Sequence, residues 1–117
     1  MAGTDQHAVG GITVAERDDS TVAHLWGEID EALREQASIA LSRALTRDLP
    51  VVLDAAQVTF IDSTGIAFLI QFMRVGREEG LPVTLRNPPS LVTDVLELLG
   101  LQGLFDASGD ESTITAT

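Results

Sequence analysis

One stretch of the chain decides the fold: residues 51–65, which read VVLDAAQVTFIDSTG. Its first three residues are apolar, and two are β-branched, which is typical of a buried central strand. We expect residues 54–61 to form a loop. A hydroxyl cluster at residues 62–65 then opens a helix that runs to about Glu79 and ends at Gly80. The stretch therefore predicts a strand, a loop and a helix in succession.

Upstream of this stretch, the sequence predicts a hairpin and a first helix. Apolar residues alternate with polar ones over residues 12–14 and 22–26, and the polar quartet 17–20 between them is typical of a hairpin turn. Asp30 then precedes apolar residues at helical spacing and is a candidate N-cap. Pro50 ends this helix. The chain thus begins with two antiparallel strands and a helix.

Downstream, residues 81–85 are expected to form a strand, residues 91–99 a helix that ends at Gly100, and residues 103–105 a last short strand. The order β-β-α-β-α-β-α-β predicts an α/β single domain, with a mixed sheet of about five strands and three to four helices. A chain of 117 residues fits one such domain. We expect a flexible N-terminal tail over residues 1–10, the folded domain over 11–106 and a polar C-terminal tail over 107–117.

Composition excludes several classes of function. A net charge of −11 argues against nucleic acid and against anionic membranes as partners. The chain has no cysteine, and His7 and His24 lie too far apart to suggest a metal pair, so we predict no metal site and no cofactor. No secretory signal and no apolar run of about 20 residues are visible, so we expect a cytoplasmic protein.

Ser63 lies where a helix is predicted to begin, and this location has chemical consequences. The first backbone N–H groups of a helix lack intrahelical partners and carry partial positive charge, so they are able to hold a phosphate placed on Ser63. However, Asp, Ser and Thr are also common helix caps, and most such clusters only cap. Local sequence leaves both interpretations open.

Three motifs in register favour the phosphate interpretation. These are GEID at residues 27–30, FIDSTG at 60–65 and LELLGL at 96–101. Together they resemble the STAS domain, and specifically the bacterial anti-sigma factor antagonists, over about residues 10–106. The resemblance implies that Ser63 is phosphorylated by an anti-sigma factor that is also a serine kinase. It further implies that the unphosphorylated protein binds this kinase and frees the sigma factor, and that a phosphatase restores binding.

The expected partner surface surrounds Ser63, and the resemblance implies that Asp30 lies near that serine. Asp30 matches the aspartate of the first family motif, and we expect a monomer whose partner contacts are made by Asp30, Asp62, Ser63, Thr64, Gly65 and Phe72. Thr64 stands where relatives often have a second serine. Thr93 and Asp94 stand where relatives often carry basic residues, which bears on the identity of the partner.

Phe72 belongs to the second of two apolar stripes on the predicted helix. The first stripe should face the sheet, and the second, Phe68, Phe72 and Val75, lies roughly opposite. Either the helix is broadly buried, with Phe68 at least packed under a neighbouring helix, or Phe72 and Val75 form an exposed partner face beside Ser63.

We predict that the protein is not an enzyme. The chain contains no Gly-x-Ser-x-Gly elbow and no Walker-type phosphate loop. Residues 62–65 differ from the Asp-Thr/Ser-Gly of aspartic proteases by one extra residue, and no second copy exists. The remaining alternative is a constitutive STAS-type interaction module in which Ser63 only caps a helix.

Overall fold

The computed structural model describes residues 9–101, 105–107 and 113–116. Within these residues the chain forms six strands and three α-helices. Their order is β1 (Gly10–Glu16), β2 (Thr21–Ile29), α1 (Arg34–Arg47), β3 (Val51–Ile61), α2 (Ser63–Glu79), β4 (Val83–Arg86), α3 (Ser90–Leu98), β5 (Phe105–Ala107) and β6 (Thr113–Ala116). A 3₁₀ turn, Glu31–Leu33, precedes α1. The α/β architecture and the predicted order are confirmed, and the described sheet has one strand more than expected.

The strands form one mixed sheet in the order β1-β2-β3-β4-β6-β5. β1 and β2 pair antiparallel, as the hairpin prediction required, and the Arg17 N–H closes the turn on the Ser20 carbonyl at 2.9 Å. The central pairs β2–β3 and β3–β4 are parallel. α1 supports the hairpin from its C-terminal end, because Arg47 Nη1 donates to the Ser20 carbonyl at 2.7 Å and to Thr21 Oγ1 at 2.9 Å.

β3 is longer than predicted, and the expected loop over residues 54–61 is wrong. The whole segment pairs with β2, but the register shifts twice, between His24 and Trp26 and between Gly27 and Glu28. Each bulge adds a residue and breaks the alternation of buried and exposed side chains. The sequence pattern therefore resembles a loop although the backbone remains in the sheet.

The core lies between one face of the sheet and the helices. Its buried cluster joins Leu25 of β2, Leu53 of β3 and Leu85 of β4 with side chains from all three α-helices, including Ala40, Leu69 and Leu96. The opposite face, which we call the outer face, follows from strand alternation. There His24 pairs in register with Asp54, and its Nδ1 lies 3.4 Å from Asp54 Oδ2.

The ends of α2 and α3 lie close to their predicted positions. α2 ends at Gly80, which has a φ of 75° and occupies the left-handed region that glycine favours. α3 begins and ends one residue earlier than predicted. Of the last predicted strand only Phe105 lies within the described residues, in β5. β6 falls in the polar segment after residue 106, where the sequence predicts no strand.

Candidate functional site

The candidate site is the junction where β3 ends and α2 begins. Ser63 is the first residue of α2 and is exposed. Asp62 is the N-cap: its Oδ1 accepts a hydrogen bond from the Gly65 N–H at 2.9 Å, and its carbonyl accepts the first helical bond from Ile66. The N–H groups of Ser63 and Thr64 belong to the same first turn, where a helix has no carbonyl to offer them. The prediction that residues 62–65 open a helix is therefore confirmed, and the residue that caps it is Asp62.

A second loop lies directly against this junction. Asp62 donates its backbone N–H to the Ile29 carbonyl at 3.3 Å, which joins the start of α2 to the end of β2. Asp30 follows Ile29 and caps the 3₁₀ turn through Oδ1, which accepts from the Ala32 N–H at 3.0 Å. The expectation that Asp30 lies near Ser63 is thus supported by the backbone that carries both residues.

Gly65 makes this close approach possible. A Cβ at position 65 would lie 2.5 Å from the Ile29 carbonyl oxygen and 2.6 Å from Ile61 Cγ1. No side chain fits there without a shift of the backbone, since real Cβ atoms are not found at such distances. Gly65 is buried. Its assignment as a partner contact is therefore corrected: its role is to let the two loops pack together beneath the surface.

The surroundings of Ser63 are acidic. Glu28 and Glu31 are exposed on the neighbouring β2 end and 3₁₀ turn, and Asp30 and Asp62 are half-buried beside them. A phosphate on Ser63 would bring roughly 1.5 to 2 further negative charges into this group. The site therefore offers backbone N–H groups to a phosphate while surrounding it with carboxylates.

Comparison with known protein families identifies the domain. A family model described as Mlab, STAS domain, matches residues 12–106. The chain belongs to the STAS family. The resemblance inferred from the three motifs is thereby confirmed, and the sheet and helices described above are those of a STAS domain.

Solved structures agree with this STAS assignment. SpoIIAA, an anti-sigma factor antagonist in its unphosphorylated form, superposes with a TM-score of 0.66 at 24% identity, over 77% of this chain and 81% of that protein. The phosphorylated form of the Bacillus cell fate determinant SpoIIAA gives 0.64 at 22% identity, over 77% and 84%. An anti-sigma factor antagonist from Mycobacterium paratuberculosis gives 0.62 at 26% identity, over 78% of each chain. At such identities these likenesses concern mainly the fold.

Phe72 does not form part of the surface of this STAS domain. Its side chain is only 4% exposed and Phe68 is 5% exposed, and both belong to the core cluster. The predicted partner face of Phe72 and Val75 is therefore wrong. The physical reason is that α1 packs against α2, so the face that carries Phe68 and Phe72 is covered as well. The alternative of a broadly buried helix is the one observed, with Gln71 and Arg74 left on its exposed side.

The exposed aromatic residue near Ser63 is instead Phe60, whose side chain is 49% exposed. Sequence reasoning quoted Phe60 only as part of a motif. Its neighbour Ile61 is buried, so alternation within β3 places Phe60 on the outer face. The alternation of Phe60 and Ile61 could have indicated that Phe60 is exposed, but only if residues 54–61 had been predicted to form a strand.

Thr64 and Ser63 differ in access. Thr64 is half-buried whereas Ser63 is exposed, so Ser63 is the more accessible hydroxyl of the pair.

Among the described residues no group of three or more His, Asp or Glu side chains is arranged to hold a metal ion. His7 lies outside the described residues. None of the helices in the described part of the chain is both long enough and apolar enough to cross a bilayer.

Proposed function

We propose that this STAS domain is an anti-sigma factor antagonist whose binding to an anti-sigma factor serine kinase is switched off by phosphorylation of Ser63. The unphosphorylated form binds the kinase, which releases the sigma factor, and a serine phosphatase reverses the modification. The observation that carries the proposal is the exposed hydroxyl of Ser63 at a capped helix start, held against the Asp30 loop. Resemblance to antagonists studied in both unphosphorylated and phosphorylated forms supports it.

Electrostatics explain how one phosphate would act as a switch. The phosphate adds roughly −1.5 to −2 charges at neutral pH to a chain that already carries −11. Contact with the helix N-terminus stabilises this negative charge by only about 0.3–1 kcal/mol at an exposed site. A partner surface that fits the neutral Ser63 hydroxyl would have to accommodate and desolvate a bulky phosphate that the neighbouring carboxylates repel. Loss of binding, without loss of the fold, is the expected result.

Binding fits the site better than catalysis does. A serine hydrolase needs a histidine within hydrogen-bond reach of its nucleophile. His24 is instead paired with Asp54, which precedes Ser63 by nine positions. Along a strand with a rise of about 3.3 Å per residue, that separation exceeds about 20 Å. Ser63 is therefore proposed as an acceptor of phosphate and not as a nucleophile of its own reaction.

The test is the intact mass of the purified protein after incubation with ATP and lysate from its source cells. We expect one added phosphate on the wild type and on Thr64→Ala, and none on Ser63→Ala. Thr64→Ala is the matched control, because it removes the neighbouring hydroxyl from the same helical turn. Phosphate on Ser63→Ala would move the acceptor elsewhere. No phosphate on any protein, in lysates of growing and stressed cells alike, would favour a constitutive interaction module.

A further inference from the structure

A largely apolar row lies on the outer face of the sheet, at the end nearest Ser63. It consists of Val9, Glu28 and Phe60, and we call it the outer row. The Glu28 N–H donates to the Val9 carbonyl at 2.8 Å, and Glu28 is in register with Phe60. The three residues therefore lie side by side, with Val9 directly before β1, Glu28 in β2 and Phe60 in β3. Val9 is 59% exposed and Phe60 is 49% exposed.

The next row of strand positions extends the apolar surface. Trp26, which is 37% exposed, lies two residues before Glu28 on the same face of β2. Its indole lies over Gly11, since a Cβ at position 11 would be 2.8 Å from the ring atoms. Glycine on β1 thus lets the ring lie flat against the sheet. Three exposed apolar side chains, from β2, β3 and the residue before β1, converge on one end of the outer face.

The charges around the outer row specify what fits it. Glu28 stands between its two apolar members, and Asp30, Glu31 and Asp62 follow at the ends of β2 and β3. A complementary partner surface is therefore apolar at its centre and carries Arg or Lys at its edge. Anionic membranes and nucleic acids are poor candidates because they would meet these carboxylates with phosphates of the same sign.

Distance links the outer row to the serine. Phe60 precedes Ser63 by three residues, so their Cα atoms are at most about 11 Å apart. A standard interface buries about 800 Å² on each partner, which corresponds to a disc of roughly 16 Å radius. An interface of this size that is centred on Ser63 therefore reaches Phe60 as well.

From these observations we infer that the kinase that phosphorylates Ser63 docks on the outer row, with Phe60 as its apolar anchor. This inference rests on the proposed function and adds to it a direction of approach. The kinase contacts the sheet side of the β3–α2 junction and places Phe60 in an apolar pocket edged by basic side chains. Aromatic anchors of this kind carry a large part of the binding energy of protein interfaces.

The test compares Phe60→Ala with Ile39→Ala as substrates of a serine kinase. The kinase is purified from source-cell lysate by following its activity toward the wild-type protein. Ile39 is the matched control, because it is 52% exposed but lies on α1. For Phe60→Ala we expect KM for phosphorylation of Ser63 to rise about tenfold or more with kcat little changed. For Ile39→Ala we expect no change in either constant. Thermal melting of both variants checks that the fold is retained.

The outcomes separate this inference from the proposed function. Equal KM values for the two variants, with Ser63 phosphorylated in both, would overturn the docking surface and leave the switch intact. Failure of any lysate fraction to phosphorylate Ser63 in the wild type would overturn both. If Phe60→Ala does not fold at the assay temperature, Val9→Ala decides. Its KM should rise about threefold, and an unchanged KM would contradict docking on the outer row.

Discussion

Two strand-to-helix junctions lie side by side in this domain, and they use the same chemistry to different ends. At the end of β2, Asp30 caps a 3₁₀ turn and is followed by Glu31; at the end of β3, Asp62 caps α2 and is followed by Ser63. Both caps accept a backbone N–H at about 3 Å. The residue after the cap is a permanent charge in one junction and an exposed hydroxyl in the other.

This difference shows how a switch is built on an ordinary helix start. Glu31 has the same side chain in the modified and the unmodified protein, so its junction contains no switch. Ser63 is neutral until it is phosphorylated, and then acquires about as much charge as two carboxylates. The Asp62 N–H to Ile29 carbonyl bond joins the two junctions. A phosphate on Ser63 is therefore placed close to the carboxylates of the neighbouring junction, which repel it.

The largest effects are expected where the two junctions pack against the core by opposite means. Three residues after Asp30 stands Leu33, which has a large buried side chain. Three residues after Asp62 stands Gly65, a buried glycine. Leu33→Ala should lower the free energy of unfolding by about 3 kcal/mol through a cavity. Gly65→Ala should lower it by about 2 kcal/mol through overpacking against the Ile29 carbonyl. Urea denaturation measures both, and a neutral Gly65→Ala would show that the close approach is not required.

A smaller effect is expected from removal of the caps. Asp62→Ala should cost about 1 kcal/mol, because it exposes the first turn of a 17-residue helix. Asp30→Ala should cost about half as much, since only a three-residue 3₁₀ turn depends on it directly. Thermal melting in parallel compares the two variants. An Asp30→Ala variant less stable than Asp62→Ala would contradict the assignment of α2 as the better-anchored start.

The smallest effect is expected when the hydroxyl is moved from one junction to the other. In the double variant Glu31→Ser with Ser63→Ala, both substitutions are exposed, so stability should change by less than about 0.5 kcal/mol. We expect no phosphate at position 31, because the 3₁₀ turn is not the start of a long helix and a serine placed there would lack the Asp62–Gly65 frame. Intact mass after incubation with ATP and lysate reports the result. Phosphate at position 31 would mean that an exposed serine is sufficient.

The start, course and end of α2 were predicted correctly because they depend on local signals. The polar cluster at residues 62–65, the apolar period of α2 and the Gly80 terminator are each read from neighbouring residues, and each was confirmed. The position of Ser63 at the first turn follows from them. The STAS family was likewise identified from three short motifs, because their order and spacing agree with the predicted elements.

The errors arose where tertiary contacts decide. β3 was predicted to end near residue 53 because two bulges interrupt its alternation, and bulges depend on pairing with β2. Phe72 was listed as a partner contact while its burial was left open, because helical period alone does not reveal that α1 packs against α2. β6 is four residues long and rich in threonine, so it gave little hydropathy signal, although Thr and Ile favour strands.

The most direct test of the central claim is the affinity of the purified kinase for the unmodified protein and for the protein phosphorylated at Ser63, measured by calorimetry in the absence of ATP. We expect binding at least about 100-fold weaker for the phosphorylated form, because a surface fitted to the neutral Ser63 hydroxyl would have to bury and desolvate a phosphate that is already crowded by the Asp30 and Asp62 carboxylates. The melting temperatures of the two forms should differ by only a few degrees. Equal affinities would contradict the switch and leave a STAS domain that binds its partner constitutively.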